Sequence, residues 1–260
     1  MAIVAQFLPS FLLIFCRITA FFAVTPIFSS RNIPNTFKVG IAFFVSLLVF
    51  VSVGNDSALI LNGSYLFFIV KEILIGLLLG FVAYLFFTVV QVAGSFIDLQ
   101  MGFGIVNVMD PLTGAQSPVM GNFKFFIAML FFLGINGHHY LLLGLMNSYE
   151  WVPFDNAFFS RVADGQIFDF LLDSLVRVFY LAFQMAAPII VTIFLAEVAL
   201  GMLARTVPTF NVFVLGMPIK ILVGFLVLLL IIVSFAPLFR DLFTILFKAM
   251  EQLIGIISTR

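Results

Sequence analysis

The sequence predicts an all-α fold: a polytopic, hydrophobic helical membrane protein whose helices are broken by a central Gly/Pro-rich loop. Three observations carry this. Of the 260 residues, 63% are hydrophobic and 9% charged, with a mean hydropathy of +1.26, whereas a soluble domain averages about 25% charged residues. Long apolar runs alternate with short polar breaks, the pattern of helices that bury against lipid or against one another. The stretch GFGIVNVMDPLTGAQSPVMGNF, residues 102–123, holds four glycines, two prolines and no sustained helical period, so helix must stop there.

The elements follow in order. A first apolar segment spans about Ile3 to Phe28. Met1 to Leu8 holds no basic residue and Arg17 interrupts the run, so a retained helix is expected in place of a cleaved leader. After SSRNIPNT, a second helix is expected from about Phe37 to Val53, and after GNDSALILNG a long third from about Ser64 to Phe96. A fourth covers about Asn122 to Ile135, and Asn136-Gly137 breaks it before a short piece, HHYLLLGLMNSYEW. The interval from Glu150 to Asp173 is the most polar in the chain and belongs in water or among headgroups. Leu175 to Ala204 is apolar with a bend expected at Pro188, RTVPTFNVFVLGMPIK reads as a turn region, and Ile221 to Phe235 is apolar again. The tail puts Asp241, Thr244, Lys248, Glu251, Gln252 and Thr259 in one stripe, which predicts an amphipathic helix.

Some of these runs are short for a bilayer. Ile221 to Val233 is 13 apolar residues, and about 20 are needed to cross the hydrocarbon core. Arg31 and Lys38 favour a cytoplasmic first loop, but later loops mix charges. Helices that are apolar all round pack equally well against other subunits.

Charges interrupt or edge the apolar segments at Arg17, Lys71, Glu72, Asp98, Lys124, Glu197 and Arg205. An unpaired charge at mid-bilayer costs about 2.5–3.5 kcal/mol on insertion scales. Such groups either line a path or pair with a charge on a neighbouring helix or subunit, and the cost of isolation favours pairing. Glu72 opens EILIGLLLG, where Gly76 and Gly80 form GxxxG. That spacing puts two small residues on one face and lets another backbone approach. EVALG, from Glu197 to Gly201, echoes it too briefly to prove duplication.

Other chemistry finds no foothold in the motifs. No basic patch suggests nucleic acid. The lone Cys16 cannot form an intrachain disulfide. No GxxxxGK[ST] offers a phosphate cradle, and no HExxH or Cys-rich spacing suggests a metal. His138 and His139 are the only histidines, and adjacent residues on a helix diverge, so they would hold one ion poorly. No enzyme, cofactor or metal is expected.

Five stretches then carry a resemblance: FCRITAFFAVTPIFSSRNIP, KEILIGLLLGF, QVAGSFIDLQMGFGIVNVMDPLTGAQSP, NGHHYLL and ARTVPTFNVFVLGMPIK. In this order, over residues from about 10 to 235, they resemble the flagellar biosynthetic FliR family. These are the R/T-type export-gate subunits of type III secretion systems, with relatives in virulence-type systems. The resemblance implies a single copy in a hetero-oligomeric gate in the bacterial inner membrane, at the flagellar basal body, with several copies of P-type and Q-type subunits. It implies a P-subunit-like helical part over residues 1–187 carrying a plug loop at 102–123, and a Q-subunit-like hairpin with the amphipathic tail over residues 188–260. Unfolded flagellar proteins would pass through the centre, driven by the proton gradient and a separate ATPase. Short apolar runs are then expected, because the helices bury against subunits.

Non-helical backbone at membrane depth is tolerated only where it is buried in protein or lines a cavity. The stretch itself reads either as a pore segment or as a connector, though a plain connector has a median near 4–6 residues. The resemblance implies the plug, with Phe103, Ile105, Val106, Val108 and Met109 excluding water and Asp110-Pro111 fixing a turn. It further implies that the turn carrying Arg205, Pro208, Asn211, Pro218 and Lys220 points to the cytoplasm and contacts a B-type switch subunit. An ordinary cytoplasmic turn with positive-inside charges fits the same residues. A secondary transporter would show two matched broken segments in related halves, where one dominant break is visible. A poreless scaffold is separated from a gate by conductance.

Overall fold

The computed structural model describes residues 2–30, 33–53, 65–103, 118–152, 157–207 and 211–258. Among these, helix is the only regular structure. Helix α1 runs Ala2–Val24 and stops four residues earlier than expected, because Thr25 precedes Pro26 and is held extended at φ −64°, ψ 123°. Pro26 then opens a single-turn helix, α2, Pro26–Ser29. Helix α3 spans Asn35–Val53 and α4 spans Tyr65–Met101, five residues past the expected end. Beyond Phe96, α4 continues through polar residues that find partners, described below.

Helix α5 is Val119–Gly134 and α6 is Gly137–Trp151. The break between them falls on Asn136, in the left-handed region at φ 58°, where Asn is tolerated better than most residues. The polar interval holds α7, Ala157–Ala163, and the start of α8, Gln166–Thr206. Helix α8 begins nine residues before the apolar run because its opening is amphipathic. Ile167, Ser174, Val178, Ala182, Met185, Ile189 and Ile193 form one buried stripe, while Phe168, Val176, Tyr180 and Phe183 stay exposed.

The region read as a turn through Lys220 is mostly helix: α9 starts at Val212 and runs to Ile231 through Pro218. Asn211 caps it, its side-chain oxygen accepting the Val214 N–H at 3.3 Å. Pro218 removes one helical hydrogen bond without ending the helix. After a 3-10 turn, Ile232–Ser234, helix α10 covers Phe235–Ile257. Its polar stripe is exposed at Asp241, Thr244, Lys248, Glu251 and Gln252, while Leu242, Phe243, Leu246, Ala249, Leu253 and Ile257 are buried. Among the described residues, five helical segments are long and apolar enough to cross a membrane, or six if α5 and α6 count together.

The chain divides into two compact units. One comprises Met1–Phe86, Asn136–Leu175 and Thr244–Arg260. Its core is built on α1, where Leu13, Ile14, Ile18 and Phe21 are fully buried, and α3 packs on α1 through edge-to-face rings such as Phe11–Phe43 at 5.4 Å. The other comprises Phe87–Ile135 and Val176–Phe243. It centres on Phe87, Phe132 and Phe243, whose ring centroids lie 4.6–5.4 Å apart. Helices α4, α8 and α10 each contribute to both units.

Candidate functional site

The Gly/Pro-rich stretch is described at its two ends, in the second unit. At the first end α4 closes with a Schellman motif. Gly102 sits at φ 90°, its N–H meets the Leu99 carbonyl at 3.3 Å, and the Phe103 N–H meets the Asp98 carbonyl at 2.9 Å. A side chain is strained at that φ, which is the physical reason for glycine there. Phe103 is half-buried. Ile105, Val106, Val108, Met109, Asp110 and Pro111 lie outside the described residues.

At the second end α5 starts from Pro118, which is extended at φ −62°, ψ 123° and has no side chain able to cap. The cap comes from α4. The Asp98 carboxylate accepts the Met120 N–H, at 3.0 Å to Oδ1 and 3.1 Å to Oδ2, and the Gly121 N–H at 3.4 Å. These are the donors that a local N-cap residue normally satisfies. The two helix backbones also touch: a Cβ on Gly94 would collide with Gly121 backbone atoms.

The same end of α4 is held from α8 and α9. Gln100 Nε2 donates to Glu197 Oε2 at 3.4 Å, and Glu197 forms an ion pair with Lys220. Met101 lies against Gly224, where an added Cβ would come within 2.7 Å of its terminal methyl, and Gly102 lies beside Met217. Of the residues proposed for the cytoplasmic turn, Lys220 is therefore drawn into an ion pair within the chain. Arg205 is exposed, Asn211 caps α9, Pro218 sits inside α9, and Pro208 lies outside the described residues.

Glu72, Gly76 and Gly80 belong to the first unit. Glu72 is fully buried and accepts two hydrogen bonds from one edge of the Arg17 guanidinium of α1, Nε–Oε2 at 2.5 Å and Nη2–Oε1 at 3.0 Å. Arg17 also donates to Ser148 Oγ at 2.9 Å and sits 4.0 Å over the Tyr149 ring. The Tyr149 hydroxyl donates to the Ile14 carbonyl at 3.1 Å. Gly76 and Gly80 face the same helix: a Cβ on Gly76 would strike the Arg17 carbonyl oxygen, and one on Gly80 would lie 3.0 Å from the Phe21 carbonyl oxygen. In the second unit, Lys124 is fully buried 4.7 Å over the Phe235 ring, and its Nζ has no hydrogen-bond partner among the described residues.

Sequence reasoning marked Asp98 as a charge needing a partner but did not see that the partner is a helix terminus. The fourth helix was expected from about Asn122, whereas it starts at Val119 behind Pro118, which offers no capping side chain. Ser148, Tyr149 and Gln100 gave no such clue, since each acts across helices distant in sequence.

The family model for bacterial export proteins, family 1, matches residues 8–246. The chain is similar to the flagellar biosynthetic protein FliR of Bacillus subtilis (strain 168), with 42% identity over 250 residues, 96% of each chain. It is similar to FliR of Escherichia coli (strain K12) at 28% identity over 92% of this chain and 90% of that one. The Yop proteins translocation protein T of Yersinia pestis is 30% identical over 85% of each chain.

Proposed function

We propose, for a chain that belongs to the bacterial export proteins, family 1, that it forms and closes the pore of a flagellar export gate. It is a membrane component of a type III protein export apparatus. Export components imply further export components as partners, and no enzyme activity is assigned. The finer reading is one copy assembled with P-type and Q-type subunits in the inner membrane, contacting a B-type switch subunit near Arg205 and passing unfolded flagellar proteins. In it, residues 1–187 are the P-like part and residues 188–260 the Q-like hairpin.

The observation that carries the flagellar reading is the 42% identity to a flagellar biosynthetic protein over almost the whole chain. The plug reading for 102–123 is supported by its length and its apolar side chains Phe103, Ile105, Val106, Val108 and Met109, where a plain connector has a median near 4–6 residues. Exposed apolar surface fits a chain meant for neighbours: Phe44, Leu48 and Val51 on α3 and Leu229 and Leu230 on α9 are all more than 60% exposed.

The test is a Gly/Ser replacement of residues 105–116 at equal length, co-expressed with the P-type and Q-type subunits. The assembly should form with unchanged mass and leak ions and small dyes, because the seal rests on apolar side chains. An assembled replacement no leakier than the parent makes the stretch a connector.

A further inference from the structure

We infer that Asp98 is a positioning residue for the pore segment: one side chain and its own backbone tie together the two ends between which residues 104–117 run. This rests on the pore-closing reading above. The Asp98 carbonyl holds Phe103 at the end of α4, and its carboxylate holds Met120 and Gly121 at the start of α5. Asp98 is 3% exposed and forms no ion pair with any described Lys or Arg. A buried carboxylate without a counter-cation is expensive in an apolar chain, and here its compensation comes from two backbone N–H donors at a helix N-terminus, where the helix dipole also favours negative charge.

Packing alone does not call for this group. Gly94 and Gly121 already bring α4 and α5 to backbone contact. What the carboxylate adds is definition of the first turn of α5, which Pro118 cannot cap. Without it, Met120 and Gly121 N–H groups lose their partner, the turn frays, and the spacing of the two ends is no longer fixed. The ends then wander while the helices stay packed.

The experiment uses the full assembly with P-type and Q-type subunits, in a Cys16→Ser background. Spin labels at Leu99→Cys and Val119→Cys, both exposed in this chain, report the distance between the ends, and dye entry reports the seal. Asp98→Ala should broaden the distance distribution and raise leak about fivefold, the population shift expected on losing a helix cap, with the mass of the assembly unchanged. Asp98→Asn keeps one acceptor and should fall between. If Asp98→Ala does not assemble, Asp98→Asn alone decides: a broadened distribution supports the clamp, and a parental one overturns it. Parental distance and leak in Asp98→Ala overturn it while leaving the pore reading to the Gly/Ser replacement. Broadening in Asp98→Ala together with a tight Gly/Ser replacement keeps Asp98 as the tie between the ends and removes the pore reading.

Discussion

Arg17 and Glu72 are joined by two hydrogen bonds, 2.5 and 3.0 Å, with neither side chain exposed to solvent. The pair links α1 to α4 in the core of the first unit, and two of the charges that interrupt the apolar segments compensate each other. Removing one partner leaves the other buried and alone, at a cost of about 3–5 kcal/mol. Arg17→Met and Glu72→Leu should each sharply lower the yield and thermal stability of the purified assembly. The double variant should recover much of the loss, since an apolar replacement of a whole buried pair is often neutral. A double variant as poor as the sum of the singles would show that Arg17 and Glu72 are not energetically coupled.

Gly76 and Gly80 differ in how closely α1 approaches them. Gly76→Ala should be the more damaging alanine, because its methyl meets backbone that cannot rotate away. Gly80→Leu should cost about 1–3 kcal/mol or more by overpacking, read as lost assembly and lost motility. Gly40 and Gly201 have open space at the Cβ position, so their alanine variants are matched controls and should behave as the parent.

Lys124 offers a test of opposite sign. It is buried with a ring for company and no hydrogen-bond acceptor among the described residues. Replacement by Met keeps the length and removes the desolvation cost of the ammonium, so Lys124→Met should leave the melting temperature equal or higher. Lys124→Glu places a carboxylate against the Phe235 ring face and should be destabilising. A fall in stability with Met would point to a partner outside the described residues.

Deletion of residues 105–116 removes Ile105, Val106, Val108 and Met109 and leaves Phe103. Both helix ends keep their own bonds to Asp98, so insertion should survive while the seal weakens, seen as slowed growth and faster dye entry on overexpression with the partner subunits. Equal tightness of deletion and parent would count against a plug.

Expressed without its P-type partner, the chain should aggregate or be degraded, because so many large apolar side chains on α3, α8 and α9 are exposed within it. Size-exclusion in mild detergent checks this, and a monodisperse monomer would contradict it.

Composition and apolar runs were enough to read the class and most of the helices, because burial in lipid or protein leaves its mark on every residue of a segment, while the family was read from five motif stretches that resemble it. The polar stripe of α10 was legible for the same reason: its period lies within one helix. Glycine and proline at 102–123 announced where helix ends. The partners were a different matter. Arg17 meets Glu72 across 55 residues and Ser148 across 131, and no local pattern encodes such distances. Helix α9 begins at Val212, ahead of Pro218, because Asn211 caps it and one lost hydrogen bond does not stop a helix. Asp98 shows the division most plainly. Its sequence position said only that a charge sat in apolar surroundings and needed compensation; the tertiary packing of α4 on α5 decided that the compensation is a pair of backbone amides at a helix start that has no cap of its own.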